Sequence, residues 1–177
     1  MKKFVFLLSV VCLFAMSAFA QSNPNFAGEW KLDTSKLDER RAAMIKSQTM
    51  TITQDASEIK STTATERNAP PAGGGGGQGG GGGQGFGGGG GASTYKLDGS
   101  EVVTERDTPN GKISTKTTAK IEDGKLKVSA TTANPNGDVT RKTTWELSAD
   151  GKTLTVKTTG PGRDGAEVTT ESVYKKS

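Results

Sequence analysis

Outside one glycine-rich stretch, apolar and polar residues alternate with a period of two, the pattern of strands with one dry face and one wet face. The first run opens at Gly28 and puts Trp30 and Leu32 on one face. Met50 and Ile52 then alternate with Thr49, Thr51 and Thr53, and a turn at Asp55-Ala56 leads into Ile59, Ser61, Thr63 and Thr65. Tyr95 and Leu97 make a short strand that ends at Asp98-Gly99, and residues 101–107 make the next. The second half is more regular: residues 113–121, 126–130, 139–147 and 154–156 all carry the alternation, before a last strand over residues 166–175. Between these runs stand Asn110-Gly111, Asp123-Gly124, Asn136-Gly137, Asp150-Gly151 and Asp164-Gly165. Such pairs take the positive φ that tight hairpin turns require, so antiparallel pairing of each strand with the next is expected at almost every junction.

One segment has a different rhythm. Residues 35–47 place Leu37, Arg41, Met44 and Ile45 near one side of a 3.6-residue spiral, with Thr34 or Ser35 positioned to cap its start and Asp38 and Glu39 in its first turn. This predicts a short helix after the first strand, able to cover one end of a curled sheet. The chain therefore reads as all-β, an antiparallel meander of nine or ten strands. Twist accumulates across so long a sheet and open edges invite other chains, so closure or near-closure into a barrel is expected. Two packed sheets satisfy the same pattern.

Composition changes this picture at two places. Residues 73–91 are almost only glycine, broken by Gln78, Gln84 and Phe86. Glycine brings no side chain to bury and loses the most freedom on ordering, which predicts a disordered loop inserted in a single domain spanning residues 21–177. The first 20 residues differ again: Lys2 and Lys3 precede an apolar core over residues 4–14, and Ser17-Ala18-Phe19-Ala20 has the small residues of a secretory cleavage site. The expectation is export, with a periplasmic or secreted mature chain that begins at Gln21. Cys12, the only cysteine, leaves with this leader, so no disulfide or thiolate ligand remains. Losing Lys2 and Lys3 also lowers the formal charge of +4 by two. The bases that remain alternate with acids, which argues against a nucleic-acid surface.

The inward face raises a question of contents. Trp30, Met50, Ile52, Ile59, Leu126 and Leu154 suit a dry core, yet many threonines lie among the apolar positions. Threonine favours a strand by branching at Cβ, but a buried hydroxyl needs a hydrogen-bond partner. Either the threonines face outward around a packed interior, or they line a partly wet cavity whose apolar end takes a small hydrophobic molecule. For the second case the candidate lining residues are Tyr95, Ile113, Val128, Arg141, Trp145 and Val156; Arg141 shares the parity of Thr143 and Trp145.

Gly28-Glu29-Trp30 resembles the glycine, any residue, tryptophan triplet that opens the first strand of lipocalins and their fatty-acid-binding relatives. The residues around it, from Asn25 through Leu32, the helical stretch that follows, and the ending Val173-Tyr174-Lys175-Lys176 resemble the same superfamily. The resemblance implies a calycin barrel whose bottom is closed by Gly28 and Trp30, with a basic partner from the last strand, here Lys175 or Lys176. It also implies an inward arginine two residues before the final tyrosine to hold a ligand's carboxylate. Ser172 occupies that position, so this feature does not carry over.

Candidate chemistry is sparse. There is no histidine, no cysteine survives the leader, and the aspartates sit beside turn glycines. Asp33, Asp38 and Glu39 form the densest acidic cluster, which helix capping explains. No phosphate loop, calcium loop or nucleophile elbow appears, so neither catalysis nor a cofactor is expected. The expected partner is a small apolar or lipid-like ligand, with a packed, envelope-associated structural domain as the alternative. A peripheral membrane contact through Leu37, Met44 and Ile45 fits either.

Overall fold

A computed structural model describes residues 23–68, 91–108, 111–134, 137–162 and 164–177. Among these described residues ten strands form one antiparallel sheet: β1 (Gly28–Leu32), β2 (Ile45–Gln54), β3 (Glu58–Arg67), β4 (Gly91–Lys96), β5 (Val102–Thr108), β6 (Gly111–Glu122), β7 (Lys125–Thr132), β8 (Val139–Leu147), β9 (Thr153–Pro161) and β10 (Glu167–Lys176). Their order is β4-β3-β2-β1-β10-β9-β8-β7-β6-β5. The first and last strands pair in the middle of this order, Trp30 opposite Lys176 and Leu32 opposite Tyr174, and the sheet curls into a nearly closed barrel.

The turn chemistry works as the aspartate-glycine pairs predict in most places. Asp123 and Gly124 both have positive φ, 54° and 70°, in the two-residue turn between β6 and β7. At Asp55 the carboxylate accepts from the Ser57 and Glu58 amides, and these bonds hold its pKa below the usual carboxylate range. Asp98-Gly99 departs from expectation. It joins β4 to β5, but these two do not pair: they are the two edges of the sheet. Asp98 instead accepts from the Ser100 amide and forms an isolated bridge with Lys120, which sends the chain across to β6 before β5 begins.

The helix is shorter than the spiral pattern predicts. A single 3-10 turn (Thr34–Lys36) precedes α1 (Glu39–Met44), and the caps are Asp33 and Asp38, each accepting a backbone amide, rather than Thr34 or Ser35. Ile45 already belongs to β2, where it pairs with Arg67; a register shift before Ser47 turns both Ile45 and Gln48 inward. Of the three residues expected on a membrane-facing side, Ile45 is therefore buried, Leu37 packs against the core and only Met44 is exposed. Gly91, the last residue of the glycine stretch, is strand and pairs with Thr63; residues 73–90 lie outside the described residues, as does the leader.

Candidate ligand-binding site

The antiparallel register sorts the barrel interior into layers. At one end, the floor, Phe26, Trp30, Ile59, Leu126 and Leu154 are fully buried. Trp30 Nε1 donates to the Phe26 carbonyl at 2.8 Å, so the indole satisfies its one polar group while its ring fills the floor. Gln54 fixes the segment that crosses beneath: its amide nitrogen donates to the Pro24 carbonyl and its amide oxygen accepts from the Phe26 backbone, both at 2.8 Å. Lys176, rather than Lys175, lies over the Trp30 ring with Nζ 5.3 Å from the centroid, a cation–π contact. A side chain at Gly28 would meet Lys176 Cε at 2.9 Å, and Gly28 has φ +137°; both space and backbone require glycine there.

Above the floor comes a belt of polar groups that satisfy one another. Thr143 and Thr158 share a hydrogen bond across β8 and β9 at 3.0 Å, and Thr115 and Thr132 do the same across β6 and β7. Buried Gln48 donates to Thr65 and accepts from the Tyr174 hydroxyl. Tyr95 Oη bonds with Ser61 and Ser93, yet burial pushes its pKa up to about 12. The threonines divide: Thr49, Thr51 and Thr53 are not in the core, whereas Thr143 is 2 % exposed and lies inside.

The other end is the mouth, where β3 ends, β4 and β10 begin, and α1 sits. It holds a half-open cavity of about 380 Å³. Arg41 and Met44 from α1 form one wall with Ile45. Thr158, Gly160 and Pro161 of β9, with Val168 and Thr170 of β10, form the facing wall, and Arg67 and Arg141 complete the lining. Arg41 is held in place: its Nη1 donates to the Glu171 carbonyl at 3.0 Å and its Nη2 to Ser172 Oγ at 2.8 Å. The serine that stands where the resemblance implies an arginine is thus contacted by an arginine delivered from the helix. Burial raises the pKa of nearby Tyr174, and the charge of Arg41 opposes that rise.

Of the six residues named from sequence as cavity lining, Arg141 lines this cavity. Tyr95, Val128 and Trp145 are buried in the core, and Val156 packs against it. Tyr95 and Phe26 meet the Trp145 ring edge-on at 5.6 and 6.0 Å. Ile113 is half-buried near the mouth, opposite Arg106 on β5. Arg41 and Arg67 were not among those six. Arg67 continues the inward parity of Ile59, Ser61, Thr63 and Thr65, a signal visible in the sequence; the path of Arg41 depends on how the helix sits on β10, which no local pattern records. Among the described residues no group of three or more acidic, histidine or cysteine side chains could hold a metal ion.

Comparison with known proteins identifies the class of fold. No family model matches the chain, and no curated protein matches it in sequence. Among solved structures, apo lipid binding protein 8 of Caenorhabditis elegans superposes with a TM-score of 0.52 at 17% identity, covering 86% of this chain and 95% of that one. Secretory abundant heat soluble protein 4 of Ramazzottius varieornatus gives 0.50 at 14% identity, covering 88% and 96%. The fold is a calycin-like barrel, distantly similar to those of lipocalins and fatty-acid-binding proteins.

Proposed function

We propose that this protein is an exported, non-catalytic lipocalin-like carrier that takes a small ligand with substantial apolar surface through the mouth of the barrel. The observation that carries this reading is the cavity of about 380 Å³, which falls within the roughly 300–1,000 Å³ of small-molecule sites. Met44, Ile45, Pro161 and Val168 give it apolar walls. The similarity to a protein described as lipid binding supports the same reading. Export rests on the leader pattern of residues 1–20.

The packed floor favours a second reading, a structural β domain with no ligand, because the apolar half of the interior is already filled by its own side chains. A native mass spectrum of the chain purified from its own host, paired with uptake of an environment-sensitive apolar dye, separates the two. The carrier reading expects a co-purified small molecule, and dye uptake that Val168→Trp abolishes by filling the cavity. No co-purified molecule and no dye uptake would establish the structural domain instead. Mass measurement of the secreted chain tests export: it expects Gln21 as the first residue.

A further inference from the structure

Three arginines from distant parts of the chain, Arg41 in α1, Arg67 at the end of β3 and Arg141 in β8, line one cavity, and among the described residues its lining contains no acidic side chain. Of the nearby carboxylates, Glu66 lies 3.7 Å from Lys46 and Glu171 lies 3.2 Å from Lys157. Asp164 lies beside Gly162 at the rim, where it accepts from the Ala166 amide at 3.1 Å. Like charges gathered around a shared space raise its positive potential, which favours an anion entering it. Arg41 spends two of its five donors on neutral oxygens, which orient the guanidinium without neutralising it.

The wall is also shaped for an arginine. A Cβ at Gly160 would come within 2.7 Å of Arg141 Cγ and 3.3 Å of the Thr140 carbonyl, so the absent side chain is what lets the Arg141 stem lie along β9. Among the described residues the Arg141 side chain has neither a hydrogen-bond nor an ion-pair partner, and it reaches the cavity across that glycine.

We propose that the mouth binds a multiply charged oxyanion, of the phosphate monoester kind, through Arg41 and Arg141, with any apolar part of the ligand against Met44, Ile45 and Val168. The apolar part of this proposal rests on the carrier reading; the anion does not. A carboxylate brings one charge and two oxygens, whereas a phosphate monoester brings up to two charges and three terminal oxygens, enough to engage the guanidinium forks of both Arg41 and Arg141. The same group occurs free and as a lipid headgroup.

The test titrates the intact chain by calorimetry with phenyl phosphate, inorganic phosphate, benzoate and phenol, and by sedimentation with phosphatidic acid or phosphatidylcholine vesicles. Phenyl phosphate is expected to bind at least about tenfold more tightly than benzoate, with no binding of phenol. Arg141→Gln and Arg41→Gln are each expected to weaken it about tenfold or more. Gly160→Ala keeps the charge and displaces Arg141, so it is expected to weaken binding as well; this separates a built site from general attraction. Binding to phosphatidic acid vesicles alone, lost in the arginine variants, would assign the anion to a lipid headgroup. Should Arg41→Gln fail to fold, Arg141→Gln and Gly160→Ala carry the test, because Arg141 is exposed. Equal affinity of the parent and these variants, benzoate binding as tightly as phenyl phosphate, or no binding of any phosphate, soluble or in vesicles, would overturn the proposal. Dye uptake without phosphate binding would leave the carrier reading standing, and phosphate binding without dye uptake would leave the anion site standing.

Discussion

The floor and the mouth of this barrel are opposite ends of the same strands, yet they are built on different principles. At the floor, aromatic and aliphatic side chains exclude water, and the polar atoms of Trp30 and Gln54 are spent on holding the segment around Phe26 in place. At the mouth, three arginines are among the residues that line a cavity, and one of them is posed by neutral oxygens. The difference teaches that stability and binding are separable here: the floor holds the fold, and the mouth is free to carry charge that a core would not tolerate.

The comparison breaks most easily at Trp30. Trp30→Ala removes the centre of the floor and is expected to cost about 3–5 kcal/mol in urea unfolding; a loss under about 1 kcal/mol would mean the floor is not the fold's anchor. Next comes Gly28→Ala, which forces a side chain onto the Lys176 stem at a backbone angle glycine tolerates best, for an expected cost of about 1–3 kcal/mol. A smaller effect appears in alkali. The folded chain keeps the Tyr95 proton to about pH 12, whereas the ordinary value is 10.0. Between those values the unfolded chain binds fewer protons than the folded one, so stability that is complete below pH 10 declines as the pH rises toward 12. Tyr95→Phe should flatten that decline, leaving the contribution of Tyr174, whose pKa burial also raises. Smallest of all is Arg141→Gln, which should shift the melting midpoint by no more than about 0.5 kcal/mol allows; a large loss of stability would show that the mouth also holds the fold.

The same contrast explains what the amino-acid pattern revealed. Alternation marks the floor well, because Trp30, Ile52, Leu126 and Leu154 each announce burial by their own chemistry and parity. Phe26 escaped it: the residue precedes β1, and what buries it is the Gln54 clamp from a strand 28 positions away. The turns were legible from Asp-Gly pairs except at Asp98-Gly99, where a local turn signal says nothing about which strand comes next in space. The bulge before Ser47 shortened the helix by moving Ile45 into β2, and a single inserted residue leaves no mark on hydrophobic periodicity. The mouth was least legible of all. Arg41 and Arg141 are a hundred positions apart in the sequence, and their place in one cavity lining is a property of the nearly closed ring.

That ring is laced everywhere but between β4 and β5, where the Asp98–Lys120 bridge fastens the floor end. A cylinder with one unlaced side changes its girth without tearing a ladder, and it yields first at the rim, away from the fastening. Backbone amides of β4 and β5 that face this slit should therefore trade hydrogen for deuterium sooner than those of β1 and β10, which have a neighbour on both flanks.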